Sequence, residues 1–238
     1  MTITTASVDE ATAHFADETA SLAARVFEVF RETGTITANG TVNLVERVPG
    51  QELVVVASDP GPFHRSTPVE PAIVAFDGTF VSGPAGVASS GARFVPLFVA
   101  HPDITTVSHV HSPSLGAWAQ SHRPLPIRYV PVQRHTLALE LPIYIDRRQQ
   151  EADFILDRLN ENPEHFAILE ANGGATVWGR EGAARTAEVI LLLEEGAALQ
   201  LLAESLGGSQ DYGPGVLDQQ WKMGGLTERA RALGLLPA

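Results

Sequence analysis

Two histidines one residue apart, His109 and His111, stand in the run Val107-Ser108-His109-Val110-His111-Ser112-Pro113. An apolar segment leads into the pair, and a proline and a helix-like stretch follow it. On a β-strand, residues i and i+2 project from the same face. The two imidazoles would then stand side by side as half of a divalent-metal site. The same spacing is common in chains that bind no metal, so the other ligands have to be sought elsewhere. Cysteine is absent, which removes disulfides and thiolate ligands. Histidine, Asp, Glu or backbone oxygen must complete any site.

The remaining histidines are His14, His64, His101, His122, His135 and His165. His14 reads as a surface residue of the first helix, and His101 and His165 as turn residues beside Pro or Glu. Glu140 or Glu170 could complete a two-His-one-carboxylate triad, a set that favours Fe(II) over zinc; either is otherwise an ordinary strand residue. Arg93 and Arg134 are candidate partners for a substrate carboxylate, because a guanidinium can grip one with two hydrogen bonds. The alternative for each is a surface salt bridge.

These residues need elements to hold them. A helix is expected from about Thr5 to Thr33, where Phe15, Leu22, Val26, Phe27 and Phe30 recur at helical spacing and Gly34 stops it. Residues 41–46 and 52–57 read as a hairpin across Pro49-Gly50, and 72–76 and 79–81 as a second across Asp77-Gly78. Gly83 to Gly91 is small and loop-like, and Arg93 to Ala100 looks helical. Ile104 to His111 is an apolar strand, followed by a short helix over Ser114 to Ser121. Extended chain is expected over 127–132 and 137–145, a helix over 153–159, and strands over 166–170 and 175–178. The longest helix runs from Ala183 to Leu206, with Glu194 and Glu195 on its solvated side. A Gly-rich tail with a short helix near Thr227 to Leu233 closes the chain. Strands cluster in the middle with helices at both ends and between, which predicts a central, largely antiparallel sheet covered by helices.

The chain has 238 residues, 44% hydrophobic and 18% charged, which suits one globular domain over residues 1–238 with residues 207–238 as a tail extension. A net charge of −12 with no basic run argues against nucleic-acid binding. No apolar run is long enough to span a membrane. Residues 1–20 carry Asp9, Glu10, Asp17 and Glu18 without a basic cluster, so no signal peptide is expected and a cytoplasmic protein is.

The segment Asp103 to Pro126, DITTVSHVHSPSLGAWAQSHRPLP, resembles the strand–His-x-His-Ser-Pro–helix segment of the class II aldolase/adducin family, followed by that family's Arg-Pro-Leu-Pro element. Asn43, the Ser89-Ser90 pair, the Asp77-Gly78 hairpin and the run WGREGAARTAEVILLLEEGAALQLLA match too, so the resemblance covers about Ala20 to Leu206. It implies a three-layer α/β/α fold with a mainly antiparallel central sheet. It also implies a metal held by a Glu after the Ser-Ser pair, the two histidines of His-x-His, and a third His in an Asn-His-Gly turn. Such a metal polarises a carbonyl or enediolate oxygen while a C–C bond breaks or forms.

His109 and His111 match that pattern, but Gly91 stands where the Glu is expected and Gly173 replaces the third His. Neither glycine can ligate. By the resemblance, His135 lies in the segment that passes the metal, which makes it the replacement ligand or a catalytic group. His64 lies in the region approaching the substrate pocket and is a second catalytic candidate, whereas His122 falls where the family varies. Asn43, Ser89, Ser90 and Arg134 are the expected substrate contacts. The turn Asn39-Gly40-Thr41-Val42 lacks the family's Ser-Gly, which weakens a phosphate pocket and favours an acyl, aryl or keto-acid substrate.

The expected function is a metal-dependent carbon–carbon lyase, an aldolase or decarboxylase of specialised metabolism, using Zn, Mn, Co or Fe. A non-haem iron oxygenase on the same fold is one alternative and a metal-free, adducin-like assembly domain another. Family members are often tetramers with sites between subunits, so a homo-oligomer is expected, with the segment from Tyr212 to Trp221 reaching a neighbouring site.

Overall fold

The computed structural model describes residues 8–237. Helix α1 spans Glu10–Glu32, and Asp9 caps it by accepting a 2.7 Å hydrogen bond from the Thr12 amide. The expected start near Thr5 falls outside the described residues. Eight strands then form one sheet: β1 (Asn43–Arg47), β2 (Leu53–Ser58), β3 (Ala72–Ala75), β4 (Phe80–Ser82), β5 (Thr106–Val110), β8 (Ile143–Tyr144), β9 (Ala167–Glu170) and β10 (Ala175–Gly179). Their order across the sheet is β4-β3-β2-β1-β5-β10-β9-β8. Every pairing is antiparallel except that of the edge strand β8 with β9. A small separate ladder joins β6 (Leu125–Pro126) to β7 (Glu140–Leu141).

The alternation of side chains sorts the strands into two cores. Leu44, Val110, Leu169 and Val177 pack beneath α1, α4 (Pro113–Gln120) and α6 (Ala183–Glu204), with Phe27, Phe30, Leu115 and Ile190 filling that layer. Val45, Val107, Ile168 and Trp178 face the other way, against α2 (Ala85–Ala92), α3 (Val95–Ala100) and α5 (Glu151–Glu161). The result is the three-layer α/β/α arrangement with a mainly antiparallel sheet.

Several elements depart from the sequence expectations. The small-residue stretch from Gly83 is not a loop but helix α2, and its smallness serves close packing. A Cβ on Gly91 would lie 2.5 Å from Val56 Cγ2 and 3.0 Å from Val45 Cγ2, so the helix lies flat on the sheet there. The long extended stretches expected over 127–132 and 137–145 are broken by Pro126, Pro131 and Pro142, which cannot donate to a ladder; they yield a single 3-10 turn at Val132–Arg134 and two-residue strands. The tail holds an unexpected helix, α7 (Val216–Met223), before α8 (Thr227–Ala232). The tail folds back on its own chain: Trp221 is fully buried and its indole N–H is shared, at 3.2 Å each, between Gln133 Oε1 and the Thr136 carbonyl. Among the described residues, no helix is long and apolar enough to cross a membrane.

Glu194 is also not on a solvated face. Its carboxylate is buried and accepts the Ser114 and Leu115 amides, at 2.7 and 2.9 Å. Those are orphan N–H groups at the start of α4, so the long helix caps the helix that leaves the histidine pair. Burial pushes the Glu194 carboxyl above its usual range, against the pull of the two amides.

Candidate metal centre

His109 shares a face with Val107 on β5 and therefore points into the layer under α2, α3 and α5. Asn43, across on β1, fixes the strand there: its side-chain oxygen accepts the His109 amide at 3.0 Å, and its backbone carbonyl accepts the Ser108 hydroxyl at 2.6 Å. His111 follows on the same face, its ring 5.0 Å from that of His109 and nearly edge-on. The expected juxtaposition of the two imidazoles is therefore present.

The strand on the other side supplies what spacing could not show. Thr176 on β10 pairs directly with His109, and Glu170 lies at the end of β9 on the same face. Glu170 Oε1 sits 2.6 Å from His109 Nδ1 and accepts the Thr176 hydroxyl at 2.7 Å. Glu151, in the first turn of α5, approaches from above, with Oε1 2.6 Å from the same hydroxyl. Ligand atoms of His109, Glu151 and Glu170 all lie within 4.8 Å of one another.

Charge in this cluster is finely balanced. Burial opposes ionisation of Glu170, but the hydrogen bond and charge of His109, with the Thr176 hydroxyl, outweigh it and hold the carboxyl well below its usual range. Glu151 goes the other way: burial, and then the charge of Glu170, push it up to about 7. Burial lowers His111, with His109 and the guanidinium groups of Arg93 and Arg147 adding to the effect, which favours the neutral imidazole that a metal requires. Arg93 Nε lies 3.4 Å from Glu151 Oε2, and Arg147 Nη1 lies 3.3 Å from Glu170 Oε2.

A cavity of about 380 Å³ opens beside His109, bounded by the Gly40–Asn43 turn, Ser58, Asp59, Ser90 and Arg93. Asn43 and Ser90 lie in its wall and are bonded to each other: Asn43 Nδ2 is 3.2 Å from the Ser90 carbonyl, and the Ser90 hydroxyl donates to the Val87 carbonyl at 2.8 Å. Ser89 instead faces outward and donates to the Gly86 carbonyl at 2.9 Å.

Two further expected residues lie elsewhere. His135 caps the 3-10 turn and accepts from Arg185 Nη2 at 2.6 Å, in a separate recess shared with Gly179, Glu164 and Arg229. Gly179 pairs with Thr106, three residues along the ladder from the Thr176–His109 pair. The structure therefore does not bring His135 to the His109–His111 pair. Arg134, on the same turn, donates to Gln220 Oε1 at 2.8 Å and serves the docking of α7. His64 is exposed in the β2–β3 loop, beyond the residues that bound the cavity. Glu140 is exposed on β7 and joins no cluster.

The residues that sequence reasoning missed are Glu151, Thr176 and Arg147. Glu170 was accessible to it: a charged residue in phase with Ile168 on an otherwise apolar strand has to face something polar.

The model of the "Class II Aldolase and Adducin N-terminal domain" matches residues 21–201. No curated protein sequence matches the chain. Among solved structures, an L-fuculose 1-phosphate aldolase superposes with a TM-score of 0.70 at 14% identity, over 90% of this chain and 96% of that one. YgbL from Escherichia coli, assigned provisionally as an aldolase, epimerase or decarboxylase, gives a TM-score of 0.68 at 20% identity, over 87% and 97%. An aldolase II superfamily protein from Pseudomonas syringae gives 0.67 at 18%, over 95% and 92%. These likenesses are of fold, and together with the family match over most of the sequence they place the chain in the class II aldolase/adducin family.

Proposed function

We propose that this protein is a divalent-metal-dependent carbon–carbon lyase of aldolase or decarboxylase type, acting next to a carbonyl of a small substrate in specialised metabolism. The observation that carries this reading is the convergence of His109, Glu170 and Glu151 beside His111, with His109 in the wall of a cavity. The donor set fits a dication. Two carboxylates buried within 4.8 Å of each other repel, and a doubly charged ion is what such a pair neutralises. Imidazole and carboxylate donors together suit Zn, Mn, Co or Fe.

His109, Glu170 and Glu151 would hold the ion, with His111 as a further nitrogen donor. A bound divalent ion supplies Lewis acidity, which stabilises the negative charge that develops on a carbonyl oxygen as a neighbouring C–C bond breaks. The chain's own residues set the rest. Asn43 holds the backbone of the histidine strand in register, Thr176 spaces the two carboxylates, and Arg93 puts a positive charge at the cavity wall.

The test is metal analysis of purified protein alongside His109→Ala and His111→Ala. A stoichiometric divalent metal in the parent, lost with activity in both variants, is expected. Full metal content and activity in either variant would sink the reading. A second reading, a non-haem iron oxygenase, is favoured by one observation: Glu170 lies 2.6 Å from His109, whose ring stands 5.0 Å from that of His111, so a shift of the His111 side chain would complete a two-His-one-carboxylate group. Iron in the purified protein together with substrate-dependent oxygen uptake would select it over the lyase.

A further inference from the structure

The Gly173 position lies in the β9–β10 turn, and a Cβ built there would stand 3.5 Å from Arg147 Nη2 and 3.5 Å from Glu170 Cβ. The space in front of this glycine is thus taken by a guanidinium. Arg147 lies over the Tyr144 ring at 4.9 Å, and its Nη2 donates to the Ala171 carbonyl at 3.0 Å. Its 3.3 Å contact to Glu170 is longer than a locked, charge-assisted pair. Arg93 comes from the other side, at the end of α2, with a 3.4 Å approach to Glu151 and no other carboxylate partner among the described residues. Both side chains are about half exposed; Arg93 lines the cavity together with His109, and Arg147 reaches the Glu170 carboxylate that bonds His109. Two fixed cations therefore flank the histidine pair, each loosely tethered and each with N–H groups to spare.

Most of the other side-chain polar groups of the cavity are already hydrogen-bonded, Asn39 to the Thr41 hydroxyl at 3.1 Å among them. Asn43 and Ser90 bond each other, Ser58 Oγ lies 3.1 Å from Ser90 Oγ, and the Gly61 amide donates to Asp59 at 2.7 Å. Asp59 itself is ion-paired with Arg31. Few side-chain donors remain around the cavity for the many oxygens of a phosphate, whereas a single guanidinium can meet both oxygens of a carboxylate.

We propose that Arg93 and Arg147 form a two-sided clamp for a substrate carboxylate beside the His109–His111 pair, so that the substrate is a 2-oxo or 2-hydroxy acid rather than a phosphate ester. This rests on the reading that the histidine cavity is the reaction site. Arg147 takes the place of a neutral ligand with a permanent charge, which recognises the acid group next to the carbonyl at which chemistry would occur.

The experiment is calorimetric titration of the full-length protein, as purified and after chelation, with oxalate and separately with inorganic phosphate. Oxalate is expected to bind at least tenfold more tightly than phosphate. Arg147→Met and Arg93→Met should each weaken oxalate tenfold or more, and Arg147→Lys should recover part of that loss. Thermal midpoints of the unliganded variants separate recognition from support: a lowered midpoint in Arg147→Met with unchanged oxalate affinity overturns the clamp. Tighter binding of phosphate than of oxalate overturns it as well. Oxalate binding that depends on the arginines in protein shown to hold no metal would keep the clamp while the metal-dependent reading fell. Metal-replete protein whose oxalate affinity ignores both arginines would do the reverse.

Discussion

Gly91 and Gly173, which by the resemblance stand where the family has ligands, differ in what a side chain would meet. At Gly91 any Cβ collides with Val56 and Val45 on the sheet, whereas at Gly173 the nearest backbone atom is 3.3 Å away and the other neighbours are side-chain atoms, chiefly the mobile end of Arg147. Gly91→Glu is therefore expected to destabilise the fold by about 1–3 kcal/mol through overpacking. Gly173→His should fold near normally but displace Arg147. Chemical denaturation of the two variants checks both. A well-folded Gly91→Glu would show that α2 can lift from the sheet.

Glu46 offers a separate test by pH. It lies under the start of α6, accepts the Thr106 hydroxyl at 2.7 Å, and burial pushes it up to about 7. The folded state then holds a proton that the unfolded state has released, so stability falls as pH rises from about 4.5 to 7. Glu46→Gln should flatten that slope in melting curves taken across the range; an unchanged slope would refute the assignment.

At this scale the histidine pair was legible because i,i+2 spacing is local. Glu170 was half legible, as a charge in an apolar strand. Arg147 and Glu151 were not, because their meeting with the histidines depends on which strands are neighbours, and no local pattern states that.

Among elements, the tie between α6 and α4 is the most consequential. Glu194 reaches 80 residues back to the two amides that open α4, immediately after His111-Ser112. Glu194→Ala leaves both donors without their acceptor, at a cost of about 1–3 kcal/mol each where they stay buried. At roughly 3 °C per kcal/mol for a domain of this size, the melting temperature should drop by at least several degrees. Glu194→Gln, which keeps one acceptor, should lose less. Equal losses in the two variants would assign the effect to packing.

Amphipathic α1, the long apolar run of α6 and the hairpins were readable from periodicity, composition and Asp77-Gly78. Helix α2 was not, because Ala, Gly and Ser suit a loop equally well until the sheet beneath them is known. Helix α7 was illegible for a similar reason: nothing in Tyr212 to Trp221 says that Trp221 is to be buried against Gln133 and Thr136 of the same chain.

For the molecule as a whole, the eight-stranded sheet separates two cores and places the site at one end of its central strands. Layer order followed from the succession of elements; strand order did not, because β5 pairs with β1 and β10 across long stretches of chain. The half-exposed arginines beside the histidine pair have a kinetic consequence in a chain whose net charge is −12. An acidic ligand is repelled at long range and attracted only in the last few ångströms. Mobile ions shorten the reach of that repulsion to about 8 Å at 0.15 M ionic strength. Raising salt from about 10 mM to that level should therefore speed the capture of oxalate in stopped-flow, the opposite of the usual behaviour of an electrostatically steered pair. The doorway of this protein would open wider in brine than in dilute buffer.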